Sequence, residues 1–461
     1  GINMKRILTI LALLGGMNAQ ALSTQAFVKQ LRNTHPFFNQ QVLSSQIKQI
    51  EKQATSANED WLIALDGYYK NEDADNIASS SYDKLNTTSA GLSATRKYAN
   101  TGSNIIFKHT WADRRGENID SVQNQFSVDY KYPLLRNKNG INDRLSADVA
   151  QIAIDKNTLE RLEAEESFIL AKLERFIDLA YAQERQLINE HRLALAEKEL
   201  NLVKQKYTAS VVEKVDVLLQ EDAYQRANQQ LLQAQQDLTL LRHEIAITLD
   251  LDFAKAVANT NLYQTYDLQV TTLKTYLSNN ARVLKINALT QKTLKRQLQS
   301  FKNKSKAKLD LSLGVKSTGE HNNYSDSLTK QSPAWKIGLG LSYPLGGVES
   351  NSNINKTNIQ LLNLKQVRQE QWLNIYTQAK ILQEKINLLE KLLQANQKQI
   401  NIAKARTIEE RKRYDDSNGQ ASFVINAQNN EQSVQLSYAQ VAKNYQKTVL
   451  KFKATIDQLV K

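Results

Sequence analysis

The chain has 461 residues, with no cysteine, four prolines, 15 glycines and five histidines. Without cysteine there can be no disulfide staples, no thiolate metal site and no lipidated N-terminal cysteine. His35, His109, His191, His243 and His321 are scattered, with no HExxH or comparable ligand spacing. There is no P-loop and no GxSxG, so neither an enzyme nor a cofactor or metal site is expected. Length alone would suggest two or three ordinary domains, but those would need more turn residues than this chain carries. A mean hydropathy of −0.52 excludes a membrane protein of many helical spans. It leaves a β-barrel open, because barrel strands are half polar.

What is present begins with an address. Lys5 and Arg6 precede the short apolar run 7–14, and Ala19-Gln20-Ala21 offers a small-residue cleavage site. That order reads as a secretory signal over 4–21, with a mature chain from about Leu22 and a destination in a bacterial envelope. The net charge of +13 lies in the second half: residues 251–461 hold 31 basic and 15 acidic residues, and residues 1–250 hold 29 and 32. Lys302, Lys304, Lys306 and Lys308 lead into an alternating segment. Lys and Arg are spread through helical patterns rather than grouped with stacking aromatics, which argues against a nucleic-acid partner.

The scarce breakers map the chain. No proline falls between 134 and 332, and no glycine between Gly140 and Gly314, so long helices are expected there. Apolar residues recur every three or four positions, as in Leu193, Ala196, Leu200, Val203 and Tyr207, or Leu382, Ile386, Leu389 and Leu393, forming coiled-coil seams. Elsewhere the period is two. Leu309, Leu311 and Leu313 alternate with polar or small residues, as do Trp335, Ile337, Leu339 and Leu341, and Phe126, Val128 and Tyr130. Strands are therefore expected near 58–70, 122–134, 307–318 and 334–345, with these residues as a lipid-facing side. A soluble sandwich with one buried face is the alternative. An extra hairpin is expected near 90–112, around the Asn-Thr-Gly-Ser turn at 100–103. It would either project from the cell or cover a barrel mouth.

The pattern occurs twice, over 22–250 and 251–461. Tyr132-Pro133-Leu134 returns as Tyr343-Pro344-Leu345, each closing a strand before a long helix, and Tyr207 returns as Tyr414. The fold class is therefore α+β: long coiled-coil helices joined to short alternating strands, in an internal tandem repeat.

These landmarks resemble the TolC family of outer-membrane efflux proteins over essentially the whole mature chain. The Pro-Leu steps at Pro133 and Pro344 match its strand-to-helix signature. Tyr207 to Ser210 followed by Val215-Asp216-Val217-Leu218, and Tyr414 to Ser417 followed by Phe423 to Gln428, match its aromatic–x–x–Gly turns and helix starts. The resemblance implies a homotrimer, four strands per subunit in a shared outer-membrane barrel, and a periplasmic helical tunnel closed at its turn ends. It implies a passive exit duct for a tripartite efflux or type I secretion system, with a periplasmic adaptor and an inner-membrane transporter as partners. On the same basis Tyr414 and Asp216 are gate positions, with Tyr207, Asp415 and Asp416 beside them. Otherwise Asp216 caps a helix and Tyr414 packs in a seam. The sequence departs from the pattern: Gly419 stands in the gate arginine's slot, Phe423 and Asn426 where relatives carry aspartates, and Ser210 and Ser417 at the motif glycines. The rival reading is a periplasmic coiled-coil adaptor or scaffold with no pore.

Overall fold

The computed structural model describes residues 21–268, 270 and 272–460. All of the candidate signal segment at 4–21 except Ala21 lies outside the described residues. Among the described residues the α-helices are α1 (Thr24–Thr34), α2 (Pro36–Ala54), α3 (Leu145–Thr208), α4 (Lys214–Leu249), α5 (Leu273–Asn280), α6 (Arg282–Lys304), α7 (Tyr324–Thr329), α8 (Val348–Asp415) and α9 (Ala421–Thr455). The strands are β1 (Leu62–Asp73), β2 (Lys84–Tyr98), β3 (Ser103–Gly116), β4 (Asp120–Pro133), β5 (Lys308–His321) and β6 (Ser332–Ser342). Helices α3 and α8 run for 64 and 68 residues because neither contains a glycine or proline. No described helix is long and apolar enough to cross a membrane.

Both long helices end alike. Ser210 and Ser417 adopt left-handed φ values of 59° and 63°. The amide of the next residue reaches back to the helix: Val211 to the Lys206 carbonyl and Asn418 to the Arg413 carbonyl, each at 2.9 Å. This is the Schellman arrangement, in which glycine is the usual left-handed residue. Serine fills that place here at a cost of about 1 kcal/mol.

The chain forms two compact units, each drawing on both halves of the sequence. Of the described residues, one unit comprises 21–42, those within 161–282, and 371–460. Its core packs Phe27 and Leu31 of α1, Phe176 of α3, Leu249 of α4, Leu277 of α5 and Tyr445 and Phe452 of α9, all essentially water-free. Each such side chain stabilises the fold by roughly 1.5–3 kcal/mol. Toward the helix turns this core thins to Ile400, Ala403 and Val434, and buried polar groups take over.

The other unit, 43–160 and 283–370, holds the sheet. All six strands pair antiparallel in chain order. The register aligns Ile63, Ala94, Phe107, Val128, Val315 and Trp335 in one row across them. Tyr130, Leu313 and Ile337 form the next row, and Tyr132, Leu311 and Leu339 another. Leu309 lies opposite Leu341, and Phe126 is on the same side two residues from Val128. The apolar residues singled out from alternation thus share one face. On the other face ion pairs link the strands: Lys131 of β4 to Asp310 of the adjacent β5 at 3.0 Å and, each across one intervening strand, Asp129 of β4 to Lys336 of β6 at 3.4 Å and Arg114 of β3 to Glu320 of β5 at 3.2 Å.

Two expectations need correction. The sheet has six strands, not four, and the extra hairpin is neither a projection nor a cover: β2 and β3 are consecutive members of the sheet. The sequence announced the hairpin but not its place in the sheet, because from Thr87 to Thr95 β2 is Thr, Ser, Ala and Gly apart from Leu92, too weakly alternating to read as part of the main sheet. Pro133 ends β4, and the Leu134 amide bonds the Leu309 carbonyl at 2.8 Å. Pro344 comes two residues after the end of β6, just before Gly346 and Gly347 turn the chain into α8 with positive φ.

Candidate functional site

The turn ends of α3 and α8 bring most of the candidate gate residues together, but around a centre that sequence reasoning missed. Glu199 of α3 is 4% exposed. Its carboxylate makes an ion pair with the Arg411 guanidinium of α8 and accepts from Gln428 Nε2 of α9 at 3.5 Å. Arg411 Nε also donates to Asp415 at 3.0 Å, and the Asp415 carboxylate lies 3.8 Å from Lys206 Nζ. The Lys206 ammonium in turn sits 4.2 Å from the centroid of the Tyr414 ring. One cation–π contact, one buried ion pair and one part-exposed ion pair therefore tie α3 to α8, and the Arg411–Asp415 pair within α8 steadies the guanidinium. A buried pair of this kind is costly to break, because removing one partner strands the other charge.

The other candidates fall differently. The Asp216 carboxylate accepts the Glu213 amide at 3.2 Å, forming a capping box at the start of α4. It is thus engaged as a cap and is also near Tyr414. The Tyr414 hydroxyl is buried with no hydrogen-bond partner. Burial, and then the neighbouring Asp216 charge, push its pKa up. Tyr207 is 46% exposed and lies at the α3 turn without joining the ion-pair cluster. Asp415 belongs to the cluster, whereas Asp416 is exposed in the adjoining turn.

The sequence did contain a signal for Glu199. Arg192, Ala196, Glu199 and Val203 follow the 4-3-4 spacing of a seam, and all are buried. Charged residues at two such positions mark a polar core. Arg192 Nε and Nη2 both donate to Asn429 Oδ1, at 3.2 and 2.9 Å, while Nη1 is buried without a partner. Burial pulls the Arg192 pKa down. It lines a polar cavity of about 550 Å³ with Ala223, Ala227, Asn426, Asn429 and Gln432.

A second polar knot ties the C-terminal end of α9 to α3. The carboxylates of Glu163, Glu166 and Asp457 lie close enough to share a cation. The Arg282 guanidinium fills that role, 3.1, 3.2 and 3.6 Å away. Glu166 also accepts the Val460 amide at 2.9 Å, and burial pushes its pKa up to about 7.

No family model matches the sequence, and no curated protein sequence is similar to it. Solved structures are. CusC, studied for folding and transmembrane channel formation, superposes with a TM-score of 0.69 at 10% identity, over 94% of this chain and 91% of that one. The open-state outer membrane channel MtrE of Neisseria gonorrhoeae gives 0.67 at 13% identity, over 95% and 89%. The outer membrane protein VceC of Vibrio cholerae gives 0.66 at 10% identity, over 94% and 95%. A likeness this complete at such low identity is one of fold: the chain has the fold of the TolC-like outer-membrane channels that its motifs resemble.

Proposed function

We propose that this protein is an outer-membrane exit channel spanning into the periplasm of a Gram-negative bacterium. It works as a homotrimer, without catalysis, as the passive duct of a tripartite efflux or type I secretion system. The observation that carries this reading is the six-stranded sheet with one apolar and one polar face and two unpaired edges. Trp335 and Leu339 on its apolar face are 78% and 70% exposed, which suits lipid and not water. An open edge cannot rest in hydrocarbon, so the sheet closes only with further copies. A poreless adaptor or scaffold has no use for such a face.

The turn ends of α3 and α8 are the gate in this reading, with Arg411 and Glu199 holding it and Tyr414 and Asp216 beside them. Arg411 then supplies the charge missing at Gly419. A periplasmic adaptor bound to an inner-membrane transporter would open it by pulling α8 from α3, and the partner supplies the energy. The two sequence halves, 22–250 and 251–461, correspond to a duplication, for which the matching turns at Ser210 and Ser417 speak. The test is purification from outer membranes in detergent, mass measurement and planar-bilayer recording. A trimer that conducts is expected; a monomer silent even after Asp216→Ala and Tyr414→Phe would overturn the reading.

A further inference from the structure

We propose that the β2–β3 hairpin is part of the pore wall, so that a trimer closes at eighteen strands and opens outward through a wider bore than four strands per copy would allow. The inference rests on the channel reading and specifies the size class of what can leave.

Pairing is the first argument. β2 is in register with β1 along the whole of Leu62–Asp73, and with β3 from Leu85 to Tyr98. A hairpin hanging off the sheet would leave β1 and β4 paired with each other, and they are not neighbours. The second argument is the anchoring of its turn. The Ala99 amide donates to Glu59 Oε1 at 2.7 Å. A Cβ on Gly102 would come 2.3 Å from the Asn137 carbonyl, and one on Gly140 would come 1.5 Å from the Ala99 carbonyl. The β2–β3 turn is therefore wedged against the β4–α3 connection, where the strands meet the helices, and is not a free loop.

Facing is the third. Ala94, Ile105 and Phe107 continue the apolar rows of β4 to β6, with Leu92 and Trp111 on the same face, while Ser89, Gly91, Ser93, Lys108 and Arg114 fall on the polar side. Parity is the fourth. In an antiparallel run of six, β1 and β6 point in opposite directions, so β6 of one copy can pair with β1 of the next. Inserting two strands preserves that parity, which makes a hairpin the smallest insertion that widens a barrel without breaking closure. Barrel diameter grows about linearly with strand number, so the bore is roughly half again as wide as that of a twelve-stranded wall.

The experiment compares the full chain with a variant lacking residues 84–116, in which the 74–83 connection leads directly to β4. Both are recorded in planar bilayers with polyethylene glycols of graded mass added on the loop side. The full chain should admit polymers of about twofold higher mass than the variant, with both trimeric. Equal cut-offs in two conducting trimers would overturn the inference and leave the channel reading standing; a silent monomer from the full chain overturns the channel reading itself. Should the variant fail to assemble, the absence of native cysteine allows single-site labelling of the full chain. Ser93→Cys and Lys108→Cys should react with a charged, water-soluble thiol reagent and reduce the current, and Leu92→Cys and Phe107→Cys should resist it. Equal reaction at all four would place the hairpin outside the wall.

Discussion

Ser210 and Ser417 show how a single residue type can blur a motif while leaving its geometry intact. Both occupy left-handed positions that favour glycine. Ser210→Gly and Ser417→Gly should each raise stability by about 0.5–1 kcal/mol, read as a higher denaturant midpoint with unchanged slope; a lower midpoint would mean the hydroxyls contribute something the backbone does not show. Glu166 makes a second residue-level prediction. Its pKa is about 7 in the fold, raised by burial, against about 4.3 in an unfolded chain. The folded state holds the proton more tightly, so this contribution to stability is complete below pH about 4.3 and lost as pH rises through about 7. Glu163 is raised in the same direction, first by burial and then by Asp457. Melting temperature should therefore fall between pH 5 and 8, and Glu166→Gln should flatten the profile; superimposable profiles would count against the assignment.

At the scale of elements, the link between α3 and α8 is the feature with most at stake. Arg411→Ala leaves Glu199 buried and unpaired, a loss on the order of 3–5 kcal/mol at that contact. In bilayers this variant should conduct more than the parent. Glu199→Gln combined with Arg411→Met removes both charges and should recover much of the lost stability while keeping the higher conductance. Unchanged conductance in both variants would make the pair a structural strut rather than a latch. The helices themselves were legible from the missing glycines and prolines, and the seams from their spacing. The Arg411–Glu199 pair was not, because a pairing between residues 199 and 411 arises only once two distant helices lie side by side. The charged seam positions Arg192 and Glu199 hinted at polar layers without naming their partners.

Over the whole molecule, the open matter is which surface the basic excess coats. The polar side of the sheet carries Lys70, Lys108, Arg114, Lys131, Lys316 and Lys336 against Asp66, Glu72, Asp129, Asp310 and Glu320. Lys97 and Lys308 are on the same side and tilt the balance further. A lumen of this composition attracts anions, more strongly at low salt. Reversal potentials under a salt gradient should indicate anion preference that weakens as ionic strength rises. Cation preference would mean that the acidic residues, or a constriction elsewhere, set the selectivity.

The sequence by itself determined the long helices, the apolar side of four strands, the two Pro-Leu steps and the paired turns, because each is a local pattern carried by spacing and by breakers. Tertiary structure alone decided the sixfold sheet, the wedged β2–β3 turn and the Arg411–Glu199 pair. Strand order depends on which backbone edges meet, and the hairpin that the turn at 100–103 announced shows its place between β1 and β4 only when they flank it. A buried charge, likewise, declares its partner only when packing has removed the water around both.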